Sequence, residues 1–139
     1  MSAGTEEIRL EMARAAKSLR AARTLCNEQL YEDAISRTYY AVLHAAKAAL
    51  LTVGCQVDSH GAVKRLFGKH LVKEGIIDEA YSGILRKEQD DRILADYDVA
   101  FDPDLNRVEQ RITDALSFIV EMERFLAEKG CEFQDRTED

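Results

Sequence analysis

Residues 31–53 read YEDAISRTYYAVLHAAKAALLTV, and the fold follows from them. Ile35, Tyr39, Val42, Leu43, Ala46, Ala49, Leu50 and Val53 return at steps of three and four, the period of an α-helix. Ala41, Ala45 and Ala48 add a second, small-residue face. A helix apolar on two sides sits centrally in a bundle or faces a partner. Gly54 is a natural stop, so the spacing predicts a helix over Tyr31–Val53, about 35 Å long at 1.5 Å per residue.

The same period recurs on both sides of this stretch. Before this stretch, Ile8, Met12, Ala15, Ala16, Leu19, Ala22 and Cys26 form one face of a helix expected from about Thr5 to Cys26. Thr5 is its expected N-cap, with Glu6 and Glu7 at the positive end of the helix dipole. After it, Ser59 is placed to cap a short helix over Gly61–Lys73. Gly75 ends that helix, and Gly68 within it predicts a close approach by a neighbour. A fourth helix is expected from about Asp78 to Asp98. Pro103 falls in the next turn, and Asp104 then caps a fifth helix reaching about Lys129, with Gly130 at its end. Short links between long helices favour antiparallel neighbours. The expected fold is therefore all-α: a five-helix antiparallel up-and-down bundle, with one domain over residues 1–133 and a polar tail over 134–139.

The totals agree. A chain of 139 residues, 46% of them hydrophobic, buries one core without staples. One proline and seven glycines leave little material for many turns. No apolar run approaches the roughly 18 residues that a membrane span needs. Met1–Glu11 carries no apolar signal-peptide core, so the reading is cytoplasmic, with no membrane partner. Cys26, Cys55 and Cys131 are scattered and odd in number, without metal or disulfide spacing, and are read as reduced thiols. The net charge of −7 is uneven. Residues 1–75 carry 11 Lys and Arg against 8 Asp and Glu, whereas residues 76–139 carry 8 against 18. Acidic proteins resist non-specific nucleic-acid binding, but the basic half leaves room for a local cationic groove. Lys64, Arg65, Lys69 and Lys73 give the third helix a basic side, which is read first as solvated surface.

Within the central stretch, Ser36-Arg37-Thr38-Tyr39-Tyr40-Ala41-Val42-Leu43-His44 is followed by Asp58-Ser59-His60-Gly61 and Gly75-Ile76-Ile77-Asp78. About fifty residues on comes Arg92-Ile93-Leu94-Ala95-Asp96-Tyr97-Asp98. Together these blocks resemble the small stand-alone HEPN proteins over about residues 6–128. The resemblance implies a five-helix bundle and a homodimer, in a group that includes metal-independent endoribonucleases. It also implies a frequent partner, a minimal nucleotidyltransferase, often within a toxin–antitoxin pair. In the ribonuclease members an Arg and a His, separated by four to six residues, sit near the dimer axis. Arg92 takes the arginine position, yet positions 97, 98 and 99 hold Tyr97, Asp98 and Val99. Some toxin members carry a Tyr two residues past the His that a partner nucleotidylates. That offset here is Val99, so the modification site does not carry over.

RNA cleavage by a 2′-hydroxyl needs a group that moves protons near pH 7, usually imidazole, and a cation for the developing charge. Arg92 can be the cation. Tyrosine is in general a poor base near neutral pH, which counts against Tyr97 in that role. His44 is the other candidate: Arg37, Ala41, His44 and Ala48 fall along one side of the second helix, which faces Arg92 if it borders a dimer cleft. The candidate catalytic residues are thus Arg92, Tyr97 and His44, and the candidate binding residues are Arg37, Tyr40 and Asp96. The plain alternatives are an Arg92–Asp96 helix-surface pair and a Tyr97 that packs on Ile93. Arg65 with His70 and Arg37 with His44 also match the Arg-to-His spacing, but on the wrong helices, and such matches arise by chance. His70 is read as a packed side chain and His60 as a cap-region residue. No His or Cys spacing suits a metal, and no cofactor is expected. Three functions compete: a HEPN dimer that binds a nucleotidyltransferase, a nucleotide or RNA with lost or weak cleavage; an active endoribonuclease toxin built on Arg92; and a purely structural adaptor.

Overall fold

A computed structural model describes residues 3–131. The tail expected over 134–139 lies outside the described residues. The elements are α1 (Ala3–Asn27), α2 (Tyr31–Leu51), α3 (His60–Phe67) with a π turn over Gly68–Val72, α4 (Glu79–Tyr97) and α5 (Leu105–Glu128). Among the described residues all regular structure is helical.

The long helices run up, down, up and down. Glu11 of α1 meets His44 and Lys47 of α2, and Gln56 just past α2 reaches Glu7 near the start of α1. Tyr40 meets Arg92 and Ser36 meets Asp96, so α4 lies antiparallel to α2. Asp91 late in α4 meets Arg107 early in α5. α2 is the central helix: it packs on α1, α3, α4 and α5, and its alanines 41, 45, 46, 48 and 49 are fully buried. Small residues on two faces let neighbouring helices approach on both sides, as the sequence pattern requires. The core is closed by Tyr39, Phe67, Phe118, Leu50, Met122 and Leu126, with the Phe67 and Phe118 ring centroids 5.5 Å apart.

Helix ends depart from expectation at several points. α1 begins at Ala3, so Thr5 lies inside the first turn and is not its N-cap. α2 stops at Leu51 rather than Val53. Its end is closed by Gly54 N–H to Leu51 O (3.2 Å) and Cys55 N–H to Leu50 O (3.0 Å), with Gly54 at φ +78°. This paired closure needs a left-handed residue. It recurs at Gly75 and Gly130, and also at Gln29 (φ 64°), where no glycine marks it. Ser59, Asp78 and Asp104 do cap α3, α4 and α5, accepting from Ala62, Ala80 and Arg107 N–H. The third helix is not uniform: after Phe67 it widens into the π turn, sealed by Lys73 N–H to Gly68 O at 2.8 Å. The close approach expected at Gly68 is absent, because a Cβ there would meet nothing within 4 Å.

Candidate functional site

The seam between α2 and α4 gathers four of the six candidate residues. Arg92 Nη2 donates to Tyr40 Oη at 3.3 Å, and its Nε lies 3.1 Å from Asp96 Oδ2. The guanidinium carbon stands 5.1 Å from the Tyr39 ring centroid and 5.8 Å from that of Tyr40. Asp96 Oδ1 accepts from Ser36 Oγ at 2.6 Å. Arg37 lies over the Tyr40 ring, 4.9 Å from its centroid. The Arg92–Asp96 pair foreseen from sequence is therefore real, but its arginine is only 15% exposed and rests on two tyrosines. The Tyr40 hydroxyl, with help from Asp96 and Tyr39, holds the Arg92 guanidinium more firmly protonated than usual. Burial pushes the Tyr39 hydroxyl up to about 12 despite the nearby Arg92 charge, so it is no proton acceptor near neutrality.

The remaining candidates lie apart. Tyr97 ends α4 with 74% of its surface exposed, and Ile93 is 45% exposed, so Tyr97 is no core aromatic within the chain. Val99, one of the three positions where the motif His would fall, is fully exposed. His44 turns to α1, where its Nδ1 sits 2.7 Å from Glu11 Oε1. Glu11 Oε2 is 3.6 Å from Lys47 Nζ. Burial alone would raise the Glu11 carboxyl, but the His44 hydrogen bond and the Lys47 charge outweigh it and hold it below the usual range. Arg92 is thus seated on Tyr39, Tyr40 and Asp96, while the His44 imidazole is engaged on another helix. His70 is half-buried on the π turn and His60 opens α3.

Directly behind the seam lies a buried polar network that sequence reasoning does not find. Glu88 is fully buried. Its Oε1 lies 2.7 Å from Thr38 Oγ1, which is also 2.8 Å from the Ile35 carbonyl. A hydroxyl has one proton. If Thr38 gives it to the carbonyl, Glu88 must be protonated and donate to Thr38. Burial agrees, pushing the Glu88 carboxyl up to about 8 against the pull of Thr38 and Arg111. Beside it, Asp91 takes both arms of Arg107, at 2.7 and 3.0 Å, and lies 3.8 Å from Arg111, which also donates to Asp114 at 2.9 Å. The signal for this network is positional. Leu85, Glu88 and Asp91 stand at helical spacing on the side of α4 that should be apolar, opposite Arg111 on the inner face of α5.

Chemically, the seam offers a fixed cation flanked by aromatic faces, suited to phosphate or carboxylate. Among the described residues no group of three or more His, Cys, Asp or Glu could hold a metal ion, and no helix is long and apolar enough to cross a membrane.

Fold and seam together define a small helical-bundle protein in which an arginine is packed on two tyrosines between the second and fourth helices. The sequence pattern of the HEPN domain matches residues 8–129, and the chain belongs to that family. It is 37% identical over 123 residues to a Methanocaldococcus jannaschii protein named "Putative toxin MJ0605", covering 88% of this chain and 91% of that one. A UPF0332 protein of Gloeobacter violaceus is 40% identical over 86 residues, 62% of this chain and 68% of that one. A second M. jannaschii protein, "Putative toxin MJ0142", is 28% identical over 124 residues, 89% of this chain and 84% of that one.

Proposed function

We propose that the protein is a cytoplasmic HEPN homodimer of the toxin–antitoxin kind that works by binding. It holds a nucleotidyltransferase partner, a nucleotide or RNA, and its ribonuclease activity is lost or weak. The observation that carries this is the state of Arg92. Its guanidinium is anchored by Tyr40 and Asp96 and seated on two tyrosine rings, while the candidate imidazole, His44, is bound to Glu11 on α1. Such a site can hold an anion, but cleavage also asks for a proton carrier suited to pH 7 beside it. The "Putative toxin" names of two relatives support the toxin–antitoxin setting. Exposed Ile93, Tyr97 and Val99 beside the site supply apolar surface for a second copy.

Metal-free protein incubated with RNA tests the reading. Background cleavage, together with binding that Arg92→Ala weakens and Arg124→Ala does not, is expected. Light scattering should give twice the 15.7 kDa chain mass; a monomer at micromolar concentration refutes the dimer. The alternative, an active endoribonuclease, is favoured by one observation: Glu11 orients the His44 imidazole on the helix that carries Tyr40. Cleavage abolished by both Arg92→Ala and His44→Ala would establish that alternative and overturn the first reading.

A further inference from the structure

The second half of α4 is held to the bundle mainly by polar contacts. The buried residues of α4 are Leu85, Glu88 and Asp91, one apolar side chain and two acids, whereas those of α5 are mostly apolar. Tyr81 and Ile84 pack on the main core from the first half of the helix. Past Leu85, Ala95 packs on the smaller cluster around Cys26 and Ile35, while Ile93 and Tyr97 are exposed. The remaining hold comes from Glu88 on Thr38, Asp91 on Arg107, Arg92 on Tyr40 and Asp96 on Ser36. A segment with so little apolar burial belongs to the low-stability end of a fold.

The acid among these contacts suits one protonation state. Facing Glu88 are Thr38 from α2, Arg111 and Asp114 from α5, and Asp91 from its own helix. α3 and the π turn also pack on α4, but among the described residues the charges that act on Glu88 are those three. Arg107 and Arg111 balance Asp91 and Asp114, so the cluster is neutral when Glu88 holds its proton and carries one surplus negative charge when it does not. Arg111 is already engaged by Asp114 at 2.9 Å and stands 3.8 Å from Asp91. Once ionised, Glu88 can only accept. The single Thr38 hydroxyl proton is then wanted by both Glu88 Oε1 and the Ile35 carbonyl, and Glu88 Oε2 has no hydrogen-bond partner among the described residues. A buried charge left in that condition costs more than exposing it to water.

We propose that Glu88 is a proton-gated latch: while neutral it docks the Glu88–Tyr97 half of α4 on α2 and α5, and on ionising it releases that half as a unit while α1, α2, α3 and α5 stay folded. The released segment is too short to hold its own helical hydrogen bonds in water. Its departure uncovers Thr38 and Tyr39 of α2, and Arg92 parts from Tyr40.

Native-state amide hydrogen exchange on the full chain and on Glu88→Gln, followed from pH 5 to 7.5 with the intrinsic exchange rate divided out, tests the latch. Burial lifts the docked carboxyl to about 8, and opening returns it toward 4.5, so docking is strongest at low pH and weakens as pH rises through this window. The opening constant of amides 88–97 should rise about tenfold per pH unit, roughly 300-fold over the range, and stay flat in Glu88→Gln. At pH 7.5 these amides should also open more readily than those around Leu43 of α2 and Met122 of α5, and with a weaker dependence on urea than global unfolding shows. Amides 88–97 that share the opening constant of the α2 and α5 core at every pH overturn the separate unit. Opening that is independent of pH, or that keeps its pH slope in Glu88→Gln, overturns Glu88 as the latch.

Discussion

Replacing Glu88 by glutamine should make the protein more stable at neutral pH, although it removes a hydrogen-bonded acid from the centre of the bundle. The carboxyl is fully buried and pushed up to about 8 from 4.5. In the fold it keeps its proton, whereas in the unfolded chain it loses it above 4.5. Rising pH therefore favours the unfolded chain: stability is full below 4.5, is lost progressively up to about 8, and is level beyond. At 1.36 kcal/mol per pH unit the whole window is worth about 5 kcal/mol, of which about 3 kcal/mol is lost by pH 7. Glutamine has the shape of the protonated acid and its amide can donate to Thr38 Oγ1, but it does not titrate. Glu88→Gln should thus gain about 3 kcal/mol at pH 7, or roughly 10 °C in Tm, with the gain vanishing toward pH 4. Urea unfolding of both proteins at pH 4, 7 and 8.5 measures this, because the other titrations cancel in the difference. A Glu88→Gln protein that is less stable at pH 7, or a difference independent of pH, would refute a protonated Glu88.

Other substitutions probe the frame around the site. Gln29 closes α1 at φ 64°, so Gln29→Gly should stabilise by about 0.5–1 kcal/mol in urea unfolding, relief of strain outweighing the added chain freedom. Asp104→Ala removes the acceptor for Arg107 N–H and should cost about 1 kcal/mol, read as a lower urea midpoint with the same slope. Asp91→Ala strips the shared carboxylate from Arg107 and from Arg111, which is almost fully buried. Because Arg111 keeps Asp114, the loss should fall near the low end for a broken buried pair, about 3 kcal/mol by thermal unfolding.

Part of the site is legible in the sequence. The resemblance of two sequence blocks to HEPN proteins singles out Arg92 and Tyr40, and the seam brings them within hydrogen-bonding distance. Asp96, four residues on from Arg92, is a local pair that helix geometry alone dictates. Residues whose meaning depends on distant partners are not readable in the same way. Glu11 sits on the edge of an amphipathic helix and looks like solvated charge until α2 places His44 against it, 33 positions along the chain. Thr38 and Glu88 are 50 positions apart.

Period and punctuation in the chain determine five helices, their order, the central place of α2 and three of the N-caps, because these depend on neighbours within a turn or two. Tertiary packing alone decided that α3 would widen into a π turn, that Gln29 would adopt a left-handed backbone, and that an acid would be buried beside Thr38. It also decided that Arg92 would pack on Tyr39 and Tyr40 while His44 paired with Glu11. Each of these depends on which side chains meet across a helix seam, and burial and charge pairing between elements far apart in sequence leave no local pattern to read.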